Sequence, residues 1–260
     1  MKLSLSNRQL SEIVGGKNGV GENVSSVHSV VYDSRRIATA STSAFFALKG
    51  VHTNGHAFIG DAYEKGIRTF VVSEEVNEVA FSGAYFIYVD DTLEALFRLA
   101  KYHRRSFKGK VVLISGKIGK TSVKEWLYAL LTPERSVSRS PKSYNSNLGI
   151  AVSVLEANPA SEVVLIEVKP HEELNPSKIN ELLHPDLGIL TTTETEGMLF
   201  SDAYFEALYK GCTDLFHAER QRSFLNMKTA VRFVNPLKEE LYPGEAKRKN
   251  VALAHAVALK

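Results

Sequence analysis

The residues best placed to do chemistry lie within residues 111–131, the stretch VVLISGKIGKTSVKEWLYALL. Residues 111–115 are β-branched and aliphatic, the composition of a buried parallel strand. Gly116-Lys117-Ile118-Gly119-Lys120-Thr121-Ser122 follows, and then Val123, Trp126, Leu127 and Leu130 recur at helical spacing. Strand, glycine loop, Lys-Thr and helix, in that order, is what a phosphate cradle requires. Glycines let the backbone bend so that its N–H groups point inward, and the helix N-terminus adds positive potential. In such a cradle Lys120 reaches the β/γ-phosphates of ATP and Thr121 holds Mg²⁺, with Gly116, Lys117, Gly119 and Ser122 completing the phosphate-binding set. Only Lys117 and Ile118 separate the two glycines, whereas the common P-loop has four residues there. The competing reading is a strand–helix corner with an exposed lysine.

Those residues need a scaffold, and the surrounding periodicity predicts one. Residues 163–168 form a second buried strand, with Glu167 near its carboxyl end, and residues 187–191 form a third. Between them lie a polar loop, Ser143-Tyr144-Asn145-Ser146-Asn147-Leu148-Gly149, and helices over residues 150–155 and 174–183. Strands alternating with helices predict a doubly wound parallel sheet with its site at the carboxyl ends of the strands. Gly116, Glu167 and Thr191 all fall at such ends. Further on, residues 202–216 read as one amphipathic helix with Phe205, Leu208, Cys212 and Leu215 on one face. Residues 246–259 read as an alanine-rich helix.

The first hundred residues predict a smaller mixed α/β domain. Ser6-Asn7-Arg8-Gln9 resembles a capping box, and Gly15-Gly16 ends the helix it opens. Residues 24–32, 69–72 and 85–89 are strand-like. Residues 56–65 read as a helix closed by Gly66, and Asp91 caps another whose apolar face is Leu93, Leu96, Phe97 and Ala100. Asp33-Ser34-Arg35, Phe45-Phe46-Ala47-Leu48-Lys49-Gly50 and Asn54-Gly55-His56 stand at the ends of short strands, where ligand loops are built. Residues 106–110 are polar and contain glycine. The predicted domains are therefore 1–107 and 108–260.

Composition sets bounds on partners. A hydrophobic content of 44% and a charged content of 23% belong to a globular protein with ample core. A net charge of +3 is too small to point to nucleic acid, and no apolar run approaches a membrane span. Cys212 is the one cysteine, so no internal disulfide and no multi-cysteine metal site is expected. These features predict a cytoplasmic protein without a membrane partner.

Taken together, these stretches resemble the Mur ligase family. The resemblance rests on Tyr32-Asp33-Ser34-Arg35, Phe45-Phe46-Ala47-Leu48-Lys49-Gly50, Asn54-Gly55-His56 and Phe70-Val71-Val72-Ser73 in the first domain. In the second it rests on Ser115-Gly116-Lys117-Ile118-Gly119-Lys120-Thr121, Val123-Lys124-Glu125-Trp126-Leu127 and Arg139-Ser140-Pro141-Lys142-Ser143-Tyr144-Asn145-Ser146-Asn147. It is closest to the branch that adds D-alanyl-D-alanine to UDP-N-acetylmuramoyl-tripeptide in bacterial wall synthesis. The resemblance implies that ATP phosphorylates a carboxylate and an amine attacks the acyl phosphate. It implies that Ser34, Arg35, Asn54 and His56 lie at the pocket for a UDP-linked muramyl peptide. Asn145 and Asn147 would lie near the reacting carboxylate, Glu167 would ligate a magnesium ion, and Lys210 would stand where the family carries a carbamylated lysine. Read in isolation, Glu167 could be a strand-end ion pair and Asp33 and Arg35 a pair at a turn. Asn145 and Asn147 could equally be turn residues, and Lys210 a solvated lysine.

Departures from the family pattern are part of the reading. Lys117 and Ile118 replace small or polar loop residues, and Val168-Lys169-Pro170 replaces a small residue and glycine after Glu167. After the third strand the family's magnesium-binding histidine is missing from Thr191-Thr192-Thr193-Glu194-Thr195-Glu196, where Glu194 or Glu196 could substitute. The resemblance also implies a C-terminal domain that these residues do not include, and a partner chain, a fused domain or the remainder of a longer product could supply it. These departures motivate an alternative, a catalytically inactive pseudoenzyme that binds nucleotide or UDP precursor in a regulatory role. A third reading, a general P-loop ATPase or kinase, leaves the Asp33-Ser34-Arg35 domain unexplained.

Overall fold

The computed structural model describes residues 4–21, 26–50, 53–191, 200–217, 230–233 and 245–259. Its contacts divide into two units, Met1–His103 and Arg104–Lys260.

The second unit is built on a six-stranded sheet. Its order is Ala230–Phe233, Asp214–His217, Leu187–Leu190, Lys110–Ser115, Val163–Glu167 and Val137–Arg139, and every neighbouring pair is parallel. From residue 111 to residue 115 the central strand is fully buried, as expected where helices cover both faces of a parallel sheet. The chain leaves the central strand Lys110–Ser115 for the edge strand Val137–Arg139. It returns to fill the place between them with Val163–Glu167, then crosses to the other side with Leu187–Leu190. The order therefore reverses at Lys110–Ser115. In open α/β sheets the carboxyl ends flanking such a reversal form the ligand crevice. Helix Lys120–Leu131 packs on the sheet through Val123, Leu127 and Leu131, and helix Glu245–Ala258 lies against it through Leu253, Ala254 and Val257.

One expected helix is half strand. Residues 202–216 do not run on as a single helix: Asp202–Leu208 is helical, Gly211 turns the chain at φ 85°, and Asp214–His217 is a fully buried strand. Phe205, Leu208, Cys212 and Leu215 are all buried as expected, but by two different elements. A run of apolar residues at mixed spacing satisfies both periods, and the glycine decides between them.

The first unit has a five-stranded sheet in the order Asn18–Gly21, Tyr85–Tyr88, Thr69–Val72, Ser43–Phe46, Ser29–Val31. The first pair is antiparallel and the others are parallel. Phe70 stacks on Phe86 with centroids 5.1 Å apart and meets Phe45 edge-on at 6.2 Å. Of the strand expected over residues 24–32, the described residues 26–32 are divided between two sheets. Ser26–Val27 pairs with Leu5–Ser6 in a separate ribbon, and Ser29–Val31 joins the main sheet. The ribbon leads straight into helix Asn7–Val14, whose N-terminus is closed by the expected capping box between Ser6 and Gln9.

A polar network braces the loop after Ser43–Phe46. Asn54 caps the 3₁₀ turn Gly55–Phe58, accepting from the backbone N–H of His56 at 3.1 Å. The His56 Nε2 accepts from the backbone N–H groups of Ser73 and Glu74, at 2.9 and 3.2 Å. An acceptor at Nε2 requires the neutral ring with its proton on Nδ1, which donates to Asn54 Oδ1 at 2.8 Å. Asn54 in turn donates to Glu74, which pairs with Lys49 at 2.8 Å. Burial holds His56 below its ordinary value of 6.5, with Glu74 opposing and Lys49 adding to the shift. The unfolded chain therefore binds the extra proton just below pH 6.5, and stability falls as pH drops through that window. We expect the wild-type melting temperature to fall between about pH 6.5 and about pH 5, and His56→Gln to remove a measurable part of that fall. Identical pH dependence of the two proteins in thermal melts would refute this assignment.

Candidate functional site

The loop after the central strand is shaped by two glycines that no other residue could replace without strain. Gly116 has φ 125°, and a Cβ there would lie 2.3 Å from Thr191 Oγ1. Gly119 has φ 88°, and a Cβ there would lie 1.8 Å from the Asn250 carboxamide. Both positions combine a backbone conformation costly for side-chain-bearing residues with a close neighbour. Helix Lys120–Leu131 starts directly from Gly119, so its first N–H groups open toward the loop. Lys120 is buried, and its Nζ donates to the Lys117 carbonyl at 2.9 Å. Burial lowers the Lys120 pKa, Glu167 opposes that shift, and Lys169 reinforces it. Lys117 and Ile118 project from the loop as exposed residues, and Ser122 is exposed on the first helical turn.

Glu167, only 1% exposed, is the centre of the site. Both of its carboxylate oxygens lie 3.0 Å from Thr121 Oγ1. Asn145 Nδ2 donates to Oε1 at 2.7 Å, and Lys124 Nζ stands 3.4 Å from Oε2. Its backbone N–H donates to Ser140 Oγ at 3.0 Å. A helix and a loop thus meet on the carboxylate, and Ser140 fixes the backbone of the strand that carries it. Lys124, Ser140 and Asn250 belong to this arrangement, although the sequence reading assigned them no role. Lys124 carries a detectable signal, since it lies three positions after Thr121 and so shares its helix face. Asn250 gives none, because it is brought in by a distant helix. Its Oδ1 is buried and has no hydrogen-bond partner among the described residues.

The donor set fits magnesium in one particular way. A carboxylate and a hydroxyl within 3.0 Å of each other are hard oxygen ligands, with the Ser143 hydroxyl 3.3 Å from Thr121. Among the described residues no group of three or more His, Cys, Asp or Glu could hold a metal. Magnesium bound by one carboxylate commonly takes phosphate oxygens and waters for the rest of its shell, so this set suits a nucleotide-linked ion.

Other expected residues lie elsewhere. Asn147 opens helix Asn147–Glu156; among the described residues it is Asn145 and not Asn147 that bonds the carboxylate. Lys210 is corrected by topology. It is exposed just before the amino end of Asp214–His217, where the Thr213 N–H meets the Asp186 carbonyl, and the phosphate loop leaves the opposite edge of the parallel sheet. In the first unit, Arg35 is held by Asp33 through two bonds of 2.9 Å, and this fork holds the Asp33 carboxyl down at about 2. Ser34 is buried, and its carbonyl accepts from Lys65 at 3.1 Å. Asn54 and His56 belong to the separate Glu74 network, and His56 has no ring nitrogen left for a ligand, which corrects its expected pocket role. Glu194 and Glu196 lie outside the described residues.

Comparison with known proteins agrees with this geometry. Residues 26–104 match the family described as Mur ligase family, catalytic domain, and residues 114–235 match the Mur ligase middle domain. The UDP-N-acetylmuramoyl-tripeptide–D-alanyl-D-alanine ligase of Bacillus subtilis (strain 168) is 28% identical over 165 residues, covering 64% of this chain and 35% of that protein. The Treponema pallidum (strain Nichols) protein of the same name is 31% identical over 170 residues, covering 62% and 37%. Among solved structures, MurF from Acinetobacter baumannii superposes with a TM-score of 0.82 at 18% identity, covering 99% of this chain and 66% of that one. MurF ligase from Thermotoga maritima in complex with ADP gives a TM-score of 0.67 at 21% identity, covering 79% and 49%. The chain thus spans little more than a third of the length of these curated relatives. With matches to both its units, the chain belongs to the Mur ligase family.

Proposed function

We propose that this chain carries the nucleotide and UDP-precursor parts of a MurF-like, ATP-dependent amide ligase of peptidoglycan precursor synthesis. The single observation that carries the reading is the convergence of Lys120, Thr121, Asn145 and Glu167 at the carboxyl end of the parallel sheet. The named relatives act on UDP-linked muramyl tripeptide, and one solved relative holds ADP. In this reading a substrate carboxylate oxygen attacks the γ-phosphorus of ATP and ADP leaves. The D-alanyl-D-alanine amine then attacks the acyl carbon, phosphate leaves, and the nitrogen loses a proton. Lys120 and the loop N–H groups bind the phosphates, and their charge counters the negative charge that builds on them. Thr121 and Glu167 hold Mg²⁺, which supplies charge neutralisation at the phosphates when bound. Asn145 orients Glu167. Ser34, Arg35 and Asn54 face the UDP-linked end, with His56 shaping their loop. No described helix is long and apolar enough to cross a membrane, which fits a cytoplasmic enzyme. A catalytically inactive reading gains no support from a site in which these groups stand together.

Two measurements test the proposal. Isothermal titration should detect both ATP–Mg²⁺ and UDP-N-acetylmuramoyl-tripeptide, and silence for both at millimolar ligand would remove it. Lys120→Ala should weaken ATP–Mg²⁺ by roughly 30-fold or more, since it deletes a buried charge facing the phosphates. It should leave the precursor titration unchanged. An unchanged ATP affinity would show that the loop is only a structural corner.

A further inference from the structure

Lys124 has no part in the phosphate cradle, yet its surroundings are those of a built site. It is fully buried, on the face of helix Lys120–Leu131 that also carries Thr121. Its ammonium has three N–H donors and four acceptors within reach. It donates to the Ser140 carbonyl at 2.9 Å and to the Lys142 carbonyl, and it faces Glu167 Oε2 at 3.4 Å, with Glu125 at 3.5 Å. Glu125 is drawn the other way by Arg139, at 2.9 Å. The turn that Lys124 grips is irregular. Lys142 sits at φ 48°, a left-handed conformation that a lysine adopts only when its surroundings hold it there. That turn leads directly to Asn145, whose amide bonds the same Glu167 carboxylate, and Ser140 Oγ accepts from the Glu167 backbone. Among the described residues Lys124 is therefore the one group in hydrogen-bond or ion-pair contact with both the carboxylate and the backbone of the loop that aims it.

From this we infer that Lys124 is a positioning residue. Its ammonium balances the buried Glu167 charge and locks the turn at residues 140–145, so that carboxylate and Asn145 reach the nucleotide-linked metal in one fixed geometry. The inference rests on the ATP–Mg²⁺ reading given above. Without Lys124, Glu167 would keep only the neutral Thr121 hydroxyl and Asn145 amide, and would be free to turn away from the cation's place. A side chain that merely filled space would leave the metal's share of the binding untouched.

The experiment is a double-mutant cycle on that share. ATP affinity is measured by titration with Mg²⁺ and again in EDTA, for wild type, Lys124→Met, Glu167→Gln and the double variant. The ratio of the two affinities is the metal-dependent gain. We expect a gain of at least about tenfold in wild type and a gain near one in each single variant, with the double variant no worse than either. The affinity of Lys124→Met in EDTA should stay within about threefold of wild type, which a general folding defect would not allow. In ligand-free protein, hydrogen exchange of residues 140–145 should quicken in Lys124→Met and stay near wild type in Glu167→Gln. Should Lys124→Met fail to fold, Lys124→Gln keeps two N–H donors for the Ser140 and Lys142 carbonyls and carries the same expectation for the metal-dependent gain, with exchange of residues 140–145 closer to wild type. A wild type without any metal-dependent gain overturns the nucleotide–metal reading and the inference with it. A wild-type gain that survives in the Lys124 variants overturns the inference alone. So does a parallel loss of affinity in Mg²⁺ and in EDTA.

Discussion

One buried negative charge organises the second unit. Taking the Glu167 carboxylate out of water costs several kcal/mol, and leaving such a charge without its partner costs about 3–5 kcal/mol. The fold meets this cost by bringing to it the hydroxyl of Thr121 and ammonium of Lys124 from one helix and the amide of Asn145 from a loop, while Ser140 holds the backbone of its strand. None of these is adjacent to another sheet position by accident. The helix is placed by the glycine loop, the loop by the central strand, and the turn at residues 140–145 by the edge strand that precedes it. The arrangement is thus a consequence of parallel topology, which gathers the carboxyl ends of successive strands at one edge.

Much of this was legible in the sequence because local and global signals agreed. The stretch around Gly116 and Lys120 announced its strand, loop and helix through composition and spacing, and its glycines proved to be required by φ and by close neighbours. Glu167 was singled out because strand ends in alternating α/β chains converge, and Asn145 only through the family resemblance of its loop. The capping box at Ser6 was readable for the same reason, being a contact between residues three apart. What local reading could not supply was contact across the chain. Asn250 reaches Gly119 from a helix more than a hundred residues later, and nothing in either neighbourhood signals the other.

The misreadings have equally physical causes. Residues 202–216 carried apolar spacing compatible with both a helix and a buried strand, and Gly211 divides them. Lys210 then falls on the wrong edge of the sheet, since a helix that precedes a parallel strand delivers the chain to that strand's amino end. Residues 24–32 look uniform but change partners at His28, whose N–H bonds the Thr42 carbonyl between the two ribbons. His56 was expected at a ligand pocket through the family resemblance of Asn54-Gly55-His56. Its acceptor nitrogen is instead consumed by two backbone N–H groups, a role that only three-dimensional placement shows.

The order of strands also has a consequence for how the second unit comes into being. Its central strand, Lys110–Ser115, is synthesised first, but its two neighbours are Val163–Glu167 and Leu187–Leu190. The strand made next goes to the far edge and pairs only with Val163–Glu167. On the ribosome the most apolar strand therefore waits, with both hydrogen-bonding edges open, while roughly fifty to eighty further residues emerge, which takes several seconds at 5–20 residues per second. Parallel pairing across such separations is slow because loop closure must precede the contacts that reward it. Open apolar edges are also the usual templates for aggregation. The same crossing that creates the crevice thus delays the pairing of the central strand, and the carboxylate cluster cannot close before Val163–Glu167 has emerged to fill the place beside it.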